Sequence, residues 1–194
     1  MEAVKSLDLK DGSVLEIHYD SNPESPREWD NLGIMAVFHS RYSFGDEVNF
    51  STDDYASWEE MEAGIRKEHG ALAVLPIYMY DHSGVTINTT GFSCGWDSSQ
   101  VGYIFTTQKK LDEIGVTINN DESWTEFVER LENSLRSEVA TMDQYVSGDV
   151  YGFVIKDEDG DETDSCWGFY GDDHKTNGIL DHVDEDNIKD LGDL

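Results

Sequence analysis

The sequence predicts an α+β fold: a mostly antiparallel sheet of about six or seven strands, covered by one long amphipathic helix and flanked by a shorter one. Three observations predict it. Short apolar or alternating runs, punctuated by Gly, Pro, Asn and Asp turns, recur along the chain. One stripe of apolar residues keeps a helical period between Ser123 and Val146. Strand signals also come in neighbouring pairs joined by short turns, the pattern of hairpins. The 194 residues suit one domain, with boundaries expected at 1–171 and an acidic tail or marginal helix over 172–194.

In chain order, Val14 to Tyr19 alternates Leu15, Ile17 and Tyr19 against Val14, Glu16 and His18, the period of a half-buried strand, with Asp11-Gly12 as the turn before it. Pro23 and Pro26 make a loop of the following stretch, anchored by Trp29. Ile34 to His39 reads as a buried strand ending before the Gly45-Asp46 turn. A helix starts near Thr52 or Ser57, the latter in capping-box spacing with Glu60, and runs to Gly70, with Tyr55, Trp58, Met61 or Glu62, and Ile65 recurring on its packed face.

Ile77 to Tyr80, Val85 to Thr89 and Val101 to Thr106 read as strands, and Gln108 to Ile114 as a short helix before Gly115. Ser123 and Glu126 open the long helix with a second capping box, and Phe127, Val128, Leu131, Leu135, Val139, Met142 and Val146 form its stripe. A globular helix needs such a face in order to pack, so the stripe is read as core rather than as a cofactor groove. Val150 to Lys156 and Ser165 to Tyr170 form a hairpin around an acidic turn, with the long helix expected as its lid. Beyond Gly171 the apolar residues thin to Leu180, Val183, Ile188, Leu191 and Leu194.

Charge is the extreme global property: 42 acidic against 13 basic residues, a formal net charge of -29. Such a field repels a phosphate backbone and the chain shows no basic patch, so direct nucleic-acid binding is not expected; a basic or nucleic-acid-binding protein is the favoured partner. The same acidity also serves solubility or high-salt adaptation, and it leaves the oligomeric state open. No apolar run approaches the ~18 residues of a membrane span, and no basic start precedes an apolar segment. Two widely separated cysteines, Cys94 and Cys166, make no disulfide framework or CxxC pair. A cytoplasmic setting is therefore expected.

The groups with chemical potential concentrate between Pro76 and Thr107. Asp81, His82, Ser93, Trp96, Asp97 and Gln100 form a candidate ligand-binding set, with Trp96 as a wall and Asp97 and Gln100 as polar readers of a small molecule such as a nucleotide signal. His82, Asp97 and Cys94 also contain the residue types of a nucleophile set or metal site. No HxxxH, HExxH or CGSCW spacing supports either, so Asp81-His82-Ser83-Gly84 reads as a turn and Cys94 as a packing group. Catalytic residues, metal and cofactor are each expected to be none. DEDGDETD has the acids of a calcium loop, but Gly160 is misplaced relative to Asp157 for an EF-hand, so a solvated hairpin tip is expected.

The string REWDNLGIMAVFHSRYSFGDE, followed by LPIYMYDHSGVTINTTGFSCGWDSSQVGYIF, SEVATMDQYVSGDVYGFVI and DSCWGFYG, resembles a family of small, functionally uncharacterised proteins encoded by bacteriophages and prophages. The resemblance runs from about Arg27 to Gly171 and implies a viral accessory product, with no catalytic residues to carry over. Combined with the charge, it suggests an anti-defence or host-takeover protein that inhibits a host factor by acidic imitation of DNA. The surface for that role would be Asp157, Glu158, Asp159, Asp161, Glu162, Asp172, Asp173, Asp184, Glu185 and Asp186. The alternative is a small-molecule binder or small enzyme with its pocket in the 81–100 region.

Overall fold

The computed structural model describes residues 2–189. Among them are eight strands, β1 (Lys5–Asp8), β2 (Val14–Tyr19), β3 (Ile34–Val37), β4 (Ala71–Asp81), β5 (Val85–Asn88), β6 (Ser98–Thr107), β7 (Val150–Lys156) and β8 (Glu162–Tyr170). Three α-helices accompany them, α1 (Trp58–Glu68), α2 (Gln108–Ile114) and α3 (Trp124–Ser147). The fold is α+β and every strand pairing is antiparallel. The single sheet expected from the sequence is instead two four-stranded sheets, ordered β1-β2-β7-β8 and β3-β6-β4-β5. They belong to two units of the chain, Met1–Glu24 with Ser147–Leu194 and the intervening Ser25–Val146.

In the intervening unit the period-two strands place alternate residues on opposite faces. Ala73, Leu75, Ile77 and Met79 of β4 and Ile104 of β6 meet the α3 stripe of Phe127, Leu131, Leu135, Val139 and Met142. Val74, Tyr103 and Phe105 turn to the other face, against Met61 and Ile65 of α1. The capping box at Ser123 and Glu126 forms in full, whereas at α1 only its first half does, because the Glu60 carboxylate accepts from the Ala56 N–H instead of that of Ser57. The Glu60 N–H donates to Ser57 Oγ at 3.2 Å, and the Ser123 N–H donates to the Glu126 carboxylate at 2.8 Å. Gly102 is required where β6 passes β3, since a Cβ there would stand 1.9 Å from the Ala36 carbonyl oxygen.

The loop before β3 is held by a charge network. Arg27, with a side chain only 9% exposed, donates through Nε and Nη2 to Asp46 at 3.1 and 2.7 Å, through Nη1 to Glu138 at 3.0 Å and through Nη2 to the Gly33 carbonyl at 2.7 Å. Glu138 also accepts from the N–H groups of Leu32 and Gly33, and Asp46 from that of Met35. The forked guanidinium suits two carboxylates and a carbonyl at once, so no buried charge is left without a partner.

In the other unit, Leu15 and Ile17 of β2 and Tyr151 and Phe153 of β7 form the core with Leu7, Leu9, Ile179 and Val183. Two expectations are corrected here. The α3 stripe packs on the β3-β6-β4-β5 sheet, and the β7-β8 hairpin is covered by residues 179–183 instead. Over 172–189 the chain packs on this core: Ile179, in a short 3-10 turn, and Val183, which caps it, are buried, and Leu9 bridges to Ile188. Leu191 and Leu194 lie outside the described residues.

His174 belongs to this core, 2% exposed, with its ring edge-on to Tyr151 at 4.5 Å and its Nδ1 3.3 Å from the Asn177 amide nitrogen. Burial and then the nearby Lys5 hold its pKa below the usual 6.5, against the opposing pull of Asp172 and Asp173. Protons therefore bind the unfolded chain first as pH falls. The contribution of His174 is complete above pH 6.5 and is lost as pH falls from there through the lower folded value. Urea unfolding from pH 7.5 to 5 should show a fall in stability that His174→Gln flattens; equal slopes for the two proteins would remove His174 as the cause.

Candidate functional site

The 81–100 region sits where β4 ends, β5 turns back and a loop leads into β6. Ser83 adopts a φ of 56°, the left-handed conformation the turn needs. The Asp81 N–H donates to the Asp97 carbonyl at 2.9 Å, which draws the two loops together. Asp97 Oδ2 lies 3.5 Å from His82 Nδ1 and accepts from Cys94 Sγ at 3.8 Å. Asp81 is paired with Arg41, whose guanidinium lies 5.5 Å from the Tyr42 ring centroid. Tyr42 in turn stacks on His39 at 5.2 Å.

The structure thus brings Asp81, His82 and Asp97 together, with Cys94 beside them. It does not gather the whole set. Trp96 is 97% exposed and stands in solvent, Ser93 is exposed, and Gln100 donates to the Gly102 carbonyl of its own strand at 3.3 Å. The order thiol, carboxylate, imidazole also differs from that of an activated nucleophile, in which the imidazole stands between the other two. GFSCG, from Gly91 to Gly95, carries the letters of a G-x-S-x-G nucleophile elbow but not its geometry. An elbow needs a strand, a sharp turn and a helix; Ser93 lies in a loop between two strands, and no hydrogen bond joins it to His82.

The acidic candidates divide. Asp157 and Glu158 of the hairpin tip and Asp184, far apart in sequence, meet around a cavity of about 310 Å³ within one unit, whereas Asp159, Asp161, Glu162, Glu185 and Asp186 do not line it. Asp11, Asp157, Glu158 and Asp184 line it with His182 and Asn187, and Leu9, Ile155 and Val183 supply its apolar part. Local bonds fix Asp11, Asp157 and Asp184. Asp157 accepts from the N–H groups of Asp159 and Asp161, and Asp184 from that of Asp186. Bonds from Ser13, then Asn187, hold the Asp11 carboxyl below its ordinary range. Asp172 and Asp173 lie at the opposite end of β8, beside His174. Asp11 and Asn187 were not legible as site residues, because a lone Asp-Gly turn signals only a turn.

No family model, curated protein or solved structure matches the chain. Among the described residues no group of three or more His, Cys, Asp or Glu is placed to hold a metal ion, and no helix is long and apolar enough to cross a membrane.

Proposed function

We propose that this chain is an accessory protein of bacteriophage or prophage type that acts in the host cytoplasm by binding and inhibiting a basic host protein, with its carboxylates standing in for phosphate. The observation that carries this reading is the convergence of acids from three sequence-distant segments, Asp11, Asp157 with Glu158, and Asp184, around one cavity. Convergence gives the net charge of -29 a defined place to act. Field lines focused by a concave acidic surface raise the encounter rate with a cationic partner by roughly 10–10³, and a Debye length of about 8 Å at physiological salt weakens that pull.

The test neutralises the carboxylates that do not hold turns. Glu158→Gln, Asp159→Asn, Asp161→Asn, Glu185→Gln and Asp186→Asn together should lower the association rate with a captured basic host protein by roughly tenfold at low salt, with less effect at high salt. Unchanged kinetics would remove the hairpin tip and residues 185–186 from the function and confine it to Asp11, Asp157 and Asp184 around the cavity. The meeting of Asp81, His82, Cys94 and Asp97 favours a second reading, a small-molecule binder at the 81–100 region; mass spectrometry of compounds released on denaturation tests it.

A further inference from the structure

A strand at the edge of a sheet leaves backbone N–H and C=O groups without ladder partners, and among the described residues three of the four edges are engaged or short. Met35 of β3 donates to the Asp46 carboxylate and accepts from the Asp46 N–H, both at 2.7 Å. The Ile87 N–H of β5 donates to Asp143 of α3 at 2.7 Å. β1 is only four residues long, and its continuation is bridged by Ile188. The remaining edge, β8, is nine residues long and largely exposed.

We propose that the free edge of β8 is a docking site for an extended, Lys/Arg-rich segment of a partner protein, which adds to the sheet as one more strand. This rests on the reading of the chain as a binder of a basic protein and names how such a partner is held. The alternation along β7 locates the free groups. The Val150 carbonyl accepts from Asp20 beyond β2, whereas the Asp149 carbonyl accepts from Gly171 beyond β8. Successive residues point to opposite sides, so Gly152 and Val154 bond toward β2. Ser165 and Trp167, opposite Val154 and Gly152, therefore present their N–H and C=O groups outward.

Bulges bound this window, with Thr163 on one side and Gly168, at a φ of 91°, on the other. Within it the Ser165 N–H is held by its neighbour's carboxylate, Asp164 Oδ1, at 2.9 Å, and the Trp167 carbonyl accepts from Cys166 Sγ at 3.8 Å, which leaves the Ser165 carbonyl and the Trp167 N–H as the open pair. An incoming strand must replace the Asp164 bond with a carbonyl, and the released carboxylate is then best matched by a cation. Trp167 lies on the same face as Ser165, 41% exposed, but its ring lies over Gly152 of β7, 6.3 Å from the His18 ring of β2, so the match to a cation rests on Asp164. A second copy is the poorer occupant, because each brings a charge of -29.

The test titrates the full chain with a short synthetic peptide alternating lysine and valine, and with a control of equal charge in which proline replaces valine. The alternating peptide should bind about tenfold tighter, the gain of two backbone hydrogen bonds, and slow amide exchange at Ser165 and Trp167. Ser165→Pro should abolish the difference and leave the salt-dependent attraction. If that variant does not fold, Asp164→Asn should keep the difference and reduce the salt dependence. Equal binding of both peptides, with shifts confined to the Asp11, Glu158 and Asp184 cavity, would overturn the edge site and leave the basic-partner reading standing. No binding of either at low salt would end that reading as well. Protection of the same amides that grows with protein concentration alone would give the edge to a second copy and overturn the proposal.

Discussion

Arg27→Ala is expected to destabilise the Ser25–Val146 unit by about 3–5 kcal/mol, the usual cost of removing one partner from a buried charge network. Arg27 is 9% exposed at its side chain, and Glu138 and Asp46 are 15% and 26% exposed. Burial works against the charged guanidinium, but the bonds to Asp46 and Glu138 outweigh it and raise its pKa. Without the guanidinium the carboxylates keep only backbone donors, and the Gly33 carbonyl loses its donor. Urea unfolding should show the loss as a lower midpoint at nearly constant slope. Arg136→Ala is the matched control: its exposed pair with Glu132 is one helical turn away, and its removal should cost less than about 0.5 kcal/mol. A similarly small change for Arg27→Ala would show that the loop before β3 holds without the network.

Arg27 marks a limit of the sequence. It reads as one more polar residue in a proline-containing loop, and its partners lie 19 and 111 positions away. The α3 stripe is the opposite case: its spacing names Phe127, Leu131, Leu135, Val139 and Met142, which are buried, although Val128 and Val146 at its margins are only half-buried. Period also explains the mistaken lid. The apolar face of the β7-β8 hairpin fits a long helix as readily as residues 179–183, and local alternation carries no information about which layer arrives. β1 escaped notice because KSLD has no strong alternation; it is a strand because β2 pairs with it. At the site, the Asp81 to Gly84 turn was legible from its residues, whereas the approach of Asp97 depends on a long-range backbone bond. GFSCG fails the other way, with a motif in its letters that the backbone does not build.

Phe153→Ala separates charge from arrangement. Phe153 is fully buried, 5.7 Å from the Phe169 ring centroid and 5.0 Å from that of His182, so it joins β7 to both β8 and the segment that carries Asp184. Truncation should cost about 3–5 kcal/mol by lost burial and the cavity left behind. It should also release residues 179–188 before the sheet unfolds, seen as faster amide exchange at Val183 and Ile188 than at Ile17. The formal charge stays at -29 while the carboxylates around the cavity lose their common geometry. If the proposed partner responds only to the field, its low-salt association with the folded variant will match the parent. If it reads placed carboxylates, association will weaken by about as much as in the neutralised variant, although no charge has been removed. That second outcome is expected, because hydrogen bonds from Ser13, Asn187 and the hairpin backbone already fix where those carboxylates point.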